Sequence, residues 1–205
     1  RRGEQFVAVS CHYDIIDWLQ PDWLYEPVDN KFVWRSLQRR PELQLAIRRV
    51  HPSAWRMFSK YHYLNHDINR TAKCFVAFVD DTPVAFEAVI SFPHAVSPGW
   101  RLHRTVCLPD YQGLGIGTTL EDKVAAIMRA TGKPVYNRMS HPAIIYAKAK
   151  SPNWKMTGKP RRQIALGRTS SIQGLSATLA RNRITAGFKF VGAIDYENAR
   201  TLGVI

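Results

Sequence analysis

Acidic residues are missing where the chain is most basic. From Lys123 to Ala193 there are fourteen Lys and Arg and no Asp or Glu, while the rest of the 205 residues nearly balances, so the net charge of +13 is regional. A stretch of one sign attracts polyanions through counterion release and long-range steering, which makes nucleic acid the first candidate partner, the alternative being a merely solvated face. Cysteine is also scarce. Cys11, Cys74 and Cys107 are an odd number without C-x-x-C spacing, which supports neither a disulfide framework nor a zinc site and points to a reducing, cytoplasmic setting. Long apolar runs are absent: no stretch approaches the ~18 residues of a membrane helix, and no charged-then-apolar leader is present, so a soluble protein without membrane contact is expected. At this length the chain can bury a core without staples.

The most informative stretch is Gln112-Gly113-Leu114-Gly115-Ile116-Gly117, after the apolar run Thr105-Val106-Cys107-Leu108-Pro109 and before a helix-like segment that begins at Thr118. Three glycines in five positions let a strand-to-helix turn fold back with main-chain N–H groups converging on one point, and the helix adds the positive end of its dipole. Such a turn fits an anion. The dinucleotide-binding pattern G-x-G-x-x-G with an acid about twenty residues on is not met. A Walker A loop needs Lys before its Ser or Thr, and Gly117 is followed directly by Thr118-Thr119.

What is left is Q/R-x-x-G-x-G/A after a strand ending near a proline. Leu108 to Gly117 resembles the acyl-CoA pyrophosphate loop of the GNAT family of N-acyltransferases. That resemblance implies an α/β (α+β) fold: a central mixed, mostly antiparallel sheet of about six to seven strands flanked by helices, with a V-shaped splay between two central strands. It implies acetyl-CoA or another acyl-CoA as donor, its diphosphate held by Gln112, Gly113, Leu114, Gly115, Ile116, Gly117 and Thr118, and its pantetheine arm paired with main chain near Cys107 and Leu108.

Along the chain, residues 1–40 are rich in aromatics (Phe6, Tyr13, Trp18, Trp23, Tyr25, Phe32, Trp34) and broken by Pro21 and Pro27, which reads as an irregular extension laid over a domain spanning 41–205. Residues 42–50 suit an opening strand, and Pro52 or Ser53 begins a helix through Lys60. Residues 73–79 and 83–92 read as a hairpin, 101–108 as the next strand, 118–131 as a helix closed by Gly132, 135–139 as a strand, and 142–150 as a helix. The last strands are expected at 163–166 and 184–191.

Amine acylation needs a group that takes a proton from the amine and one that returns a proton to the thiolate. Tyr146 is the expected thiol-side acid, because Ser140-x-x-Ala143-x-x-Tyr146 resembles the family's Asn-x-x-Ala pattern with its following Tyr, set one residue earlier. Two bases compete. Glu87 interrupts an apolar strand where an unpaired carboxylate is costly and its pKa rises, or else alternation turns it to solvent. His62 follows the first helix and titrates near neutrality, with His66 and Asp67 close by in sequence. Two histidines four apart are too few to specify a metal, and none is expected.

Tyr61-His62-Tyr63-Leu64, the glycine turn, Ser140-His141-Pro142-Ala143, Ser151-Pro152-x-Trp154 and Gly187 to Gly192 resemble a phage and mobile-element branch of the family that includes Mom-type DNA-modification proteins. This resemblance implies transfer of a carbamoylmethyl group to the N6 amine of adenine, with His62, Tyr63 and Ser140 lining the reacting site and the base flipped or taken from a single strand. Lys148, Lys150, Lys155, Lys159, Arg161, Arg162 and Arg168 would hold DNA phosphates. The alternatives are an acetyl-CoA-dependent N-acetyltransferase acting on a small amine or a protein lysine, and a non-catalytic nucleic-acid-binding module. A homodimer is left open.

Overall fold

The computed structural model describes residues 6–12, 15–34, 43–62, 66–93, 96–162 and 184–205. It divides into two units, Arg1–Leu43 and Gln44–Ile205. The first holds a short helix, α1 (Ile15–Leu19), and a hairpin of β1 (Trp23–Glu26) and β2 (Lys31–Trp34). Trp23 lies opposite Trp34 and Tyr25 opposite Phe32, so four aromatic residues share one face. The Phe32 ring stacks on both tryptophans, with centroids 5.8 and 6.0 Å apart. One ring pair across the strands and one along β2 accompany a hairpin in a stretch that was expected to be irregular.

The second unit runs β3 (Ala46–Val50), β4 (Lys73–Val79), β5 (Thr82–Phe92), β6 (Gly99–Cys107), α2 (Ile116–Arg129), β7 (Val135–Met139), α3 (Pro142–Lys150), β8 (Trp154–Arg162), β9 (Ile184–Phe190) and α4 (Tyr196–Thr201). Its seven strands form one sheet in the order β3-β4-β5-β6-β7-β9-β8, antiparallel throughout except for β6 beside β7. On one face Leu120, Val124 and Met128 of α2 pack with Phe75, Val89, Leu102 and Val135. On the other, Trp55 and Phe58 cover Val76, Phe86, Ala88 and Val106.

One expectation is corrected. The segment after β3 is not an α-helix but two 3₁₀ turns, Pro52–Met57 and Ser59–Tyr61. Residues three apart eclipse in 3₁₀ geometry, which sets Trp55 and Phe58 on the same side, both against Phe86 with ring centroids 5.1 and 5.4 Å away. A strand that the sequence reading missed is β8. It contains Gly158 and Pro160, which weaken a strand signal but are tolerated on an edge, and the register shifts at Gly158. The strand expected at 163–166 lies outside the described residues. Among those residues no helix is long and apolar enough to cross a membrane.

The splay originates where β6 meets β7. Gly99 permits a close approach, because a Cβ there would lie 2.3 Å from the Pro134 carbonyl. The strands then pair only at Trp100 with Val135 and Arg101 with Tyr136. Beyond that point β7 pairs with β9 alone, from Asn137 to Met139, and β6 continues beside β5. The expected V is present between them.

Candidate active site

A glycine turn leads into the head of α2. Gly113 and Gly115 sit at φ 80° and 82°, and Gly115 is the N-cap of the helix. No main-chain carbonyl among the described residues accepts from the amides of residues 113–118. The first turn of any helix leaves such donors unpaired, and here they stand together with the helix dipole behind them. Two side chains hold the turn: Thr118 Oγ1 donates to the Gly115 carbonyl at 2.8 Å, and Gln112 Nε2 donates to the Cys107 carbonyl at 3.0 Å. Burial pushes the Cys107 thiol up, with the Gly117 amide beside it pulling the other way, so it stays protonated.

Strand register decides which main chain faces the splay. The Leu108 amide donates to the Val84 carbonyl at 2.9 Å. Antiparallel pairing alternates, so Leu108, Val106 and Arg104 turn their main-chain groups toward β5, and Cys107 and Thr105 turn theirs toward the V. Of the pair expected to meet a pantetheine arm, Leu108 thus spends its amide on Val84, whereas Cys107, like Thr105, turns main chain toward the V.

The two candidate bases lie on opposite faces of the sheet. His62 is 8% exposed and sits edge-on to Trp55, with ring centroids 5.6 Å apart, on the face carrying Phe86. Glu87, the next residue on β5, faces α2 and is fully buried. Beside His62 the sequence reading missed His103. It stands at a β-bulge, since Arg104 pairs with Ala88 and Leu102 with Val89 while His103 has no partner in the ladder. Burial above all, then Arg104, Arg101 and His62, pulls the His103 imidazole down to about 4, so it is neutral at pH 7. Arg104 is buried, and its Nε donates to the Asp67 carbonyl at 3.3 Å. Trp55 Nε1 donates to the His66 carbonyl at 2.6 Å. His66 and Asp67 thus serve through their main chain. A histidine between two arginines was the signal for His103, hidden because a bulge cannot be read from alternation.

Glu87 belongs to a buried polar network. Thr105 Oγ1 lies 2.6 Å from Glu87 Oε2 and 2.9 Å from Glu121 Oε1. Asn137 Nδ2 donates to that same Glu121 oxygen at 3.2 Å, and Lys148 Nζ pairs with Glu121 Oε2 at 3.0 Å. A hydroxyl carries one hydrogen, so Thr105 can donate to only one carboxylate, and the other carboxyl must donate to it. Burial pushes Glu87 well above the carboxylate range, and the Glu121 charge adds to this against the pull of Thr105, Lys148 and the His103 main chain. The proton therefore sits on Glu87, and Glu121 is the anion that Lys148 balances.

Glu87→Gln is expected to raise stability at neutral pH. The folded chain keeps a proton that the unfolded chain loses above the ordinary value of 4.5, so the stabilisation is full below 4.5 and is lost as pH rises toward the folded value. Glutamine copies the neutral acid and cannot ionise. Thermal melts at about pH 4, 6 and 8 should show a gap between variant and parent that opens above pH 4.5 and widens; a less stable variant at pH 7 would contradict the proton's placement.

The basic residues divide. Lys148, expected on DNA phosphates, is only 2% exposed, with its ammonium 3.4 Å from the centre of the Trp154 ring, and cannot reach a polyanion. Lys150 and Lys155 are exposed, and Lys150 Nζ lies over the Tyr146 ring at 4.2 Å. Lys159, Arg161 and Arg162 lie on β8, and Arg168 and Tyr63 are outside the described residues. Tyr146 is 62% exposed on α3, and Ser140 is half-buried at the end of β7. Among the described residues no group of three His, Cys, Asp or Glu could hold a metal.

Comparison with known proteins places the chain in a family. The acetyltransferase (GNAT) family matches residues 13–144, more than half of the chain. The chain belongs to the GNAT acetyltransferase family. No curated protein matches it at a significant level. Solved GNAT structures share its fold at low identity. The ribosomal-protein-S18-alanine N-acetyltransferase of Escherichia coli superposes with a TM-score of 0.51 at 13% identity over 76% of this chain and 98% of its own. An acetyltransferase of Bacillus subtilis in complex with CoA gives 0.51 at 9% identity over 72% and 97%. A chimera of the spermidine N-acetyltransferase from Vibrio cholerae gives 0.50 at 11% identity over 72% and 96%. At these identities the likeness concerns the GNAT fold alone.

Proposed function

We propose that the protein is an acetyl-CoA-dependent N-acyltransferase whose acceptor is an amine offered from the face of His62 and His103. The observation that carries this is the run of amides from Gly113 to Thr118 at the head of α2, which no main-chain carbonyl among the described residues takes and of which Gly117 alone turns to the Cys107 thiol, beside a splay walled by Cys107 and Thr105 main chain. These residues fit a diphosphate followed by an amide-bearing arm. The donor supplies an acyl group on a thioester, open to attack by an amine. His103 is unprotonated at neutral pH and can take the amine's proton, with His62 beside it. Tyr146, exposed on α3, is the phenol available to a departing thiolate.

The experiment is thiol release from acetyl-CoA with spermidine, a lysine-containing peptide, adenosine or duplex DNA as acceptor. With the best acceptor, kcat/KM should stay level as pH falls through 6.5, the ordinary histidine value, and drop only near 4. A fall already at 6.5 would remove His103 from the role, and no release with any amine would sink the reading. A second reading, Mom-type modification of adenine in DNA, is favoured by the acid-free stretch 123–193 alone. The matched family and the similar structures carry nothing specific to that branch, and product on DNA but on no free amine would select it.

A further inference from the structure

Glu121 stands where four elements meet. Its Oε1 accepts from Thr105 of β6 and Asn137 of β7, at 2.9 and 3.2 Å, and its Oε2 is ion-paired with Lys148 of α3 at 3.0 Å. Glu121 itself lies on α2, six residues after Gly115. The two strands whose main chains stop pairing at Arg101 and Tyr136 are thus tied again through one carboxylate. The helix behind the glycine turn and the helix that carries Tyr146 hang on the same group. Glu121, Lys148 and Asn137 are each at most 5% exposed, and Thr105 is half-buried.

Resting on the acyltransferase reading above, we propose that Glu121 is a positioning residue for donor binding: it sets the width of the slot between β6 and β7 and fixes α3 against α2. Glu87 makes this arrangement tolerable. By holding a proton and donating it to Thr105, it leaves the Thr105 hydrogen free for Glu121, and it keeps a second charge out of the core. The groups facing Glu87 are Thr105 and the His103 main chain on β6, Glu121 on α2 and Lys148 on α3, while Cys74 on β4 lies on the opposite face of the sheet. Burial first, and then Glu87, pushes the Cys74 thiol up to about 11, so it adds no charge at neutral pH.

Removal of Glu121 alone would confuse a positioning role with simple loss of fold, since it strands Lys148. The informative variant is Glu121→Gln with Lys148→Met, which removes both charges at similar volume. Its melting temperature should return to near the parent's, because a buried ion pair is replaceable by neutral groups. Its Kd for acetyl-CoA should still be about tenfold weaker, and its kcat lower by about 10²-fold, because glutamine keeps the Oε1 acceptor but loses the Lys148 tie that fixes α3 against α2, and a displacement of about 1 Å is enough for that. Recovery of affinity and turnover together with stability would show a purely structural pair and overturn the proposal. A second readout does not depend on the reaction. The infrared carbonyl band of a protonated carboxylic acid should be present at pH 7 in the parent, persist in Glu121→Gln/Lys148→Met and vanish in Glu87→Gln. Its absence from the parent overturns the proton assignment, whereas a band with no acetyl-CoA binding by the parent would instead fail the acyltransferase reading.

Discussion

Gly115→Val should abolish coenzyme A binding and leave the fold intact. Gly115 sits at φ 82° and ψ 1°, where a β-branched side chain is strongly disfavoured. Relief of that strain requires the N-cap to leave the left-handed region, which swings the amides of residues 113–118 off their common point. The loss should be at least about 10²-fold in Kd, roughly 2.7 kcal/mol. The rest of α2 is held by Leu120, Val124 and Met128 in the core, so the melting temperature should change little. Gly115→Asn is the control, because asparagine tolerates the left-handed region and should bind coenzyme A within a few-fold of the parent. Calorimetric titrations with coenzyme A on both variants check this. Equal loss in Val and Asn would mean that bulk at the site, rather than backbone conformation, sets the affinity.

Lys148→Ala should be among the most destabilising single substitutions in the chain, at about 3–5 kcal/mol, because it leaves a buried carboxylate without its counter-charge. The ammonium lies between Glu121, 3.0 Å away, and the Trp154 ring at 3.4 Å. Trp154 is itself anchored by its Nε1–H to Asp122, the neighbour of Glu121 on α2. Truncation opens a space between the two and strands Glu121. A surface lysine would give a change within about 0.5 kcal/mol. Urea unfolding of Lys148→Ala beside Lys150→Ala separates the two cases, with only the former expected to lose stability; equal and small effects would contradict the buried pair.

Much of the architecture could be read from local pattern. The β4–β5 hairpin shows in two apolar runs around Asp80 and Asp81, whose φ of 46° and 62° fit a tight hairpin turn. The α2 helix shows in the spacing of Leu120, Val124 and Met128, and the glycine turn in its spacing from the strand before it. The remainder depends on contacts between residues far apart in sequence. Glu87 looks like an exposed carboxylate or a base until Thr105, Glu121 and Lys148 are brought to it from three other elements. Lys148 looks like one more cation in an acid-free stretch because its partner, Glu121, lies just upstream of that stretch. His103 escapes notice because its position depends on a bulge, and β8 because Gly158 and Pro160 lower a strand signal that an edge position tolerates.

The most direct test is a titration of the isotope-labelled protein with coenzyme A, followed through its amide resonances. The amides of Gly113 to Thr118 should shift first and furthest, with those of Thr105 and Cys107 moving alongside, and 3′,5′-ADP should reproduce the shifts at the turn but not those along β6. Saturating coenzyme A that leaves residues 113–118 unmoved would contradict the account.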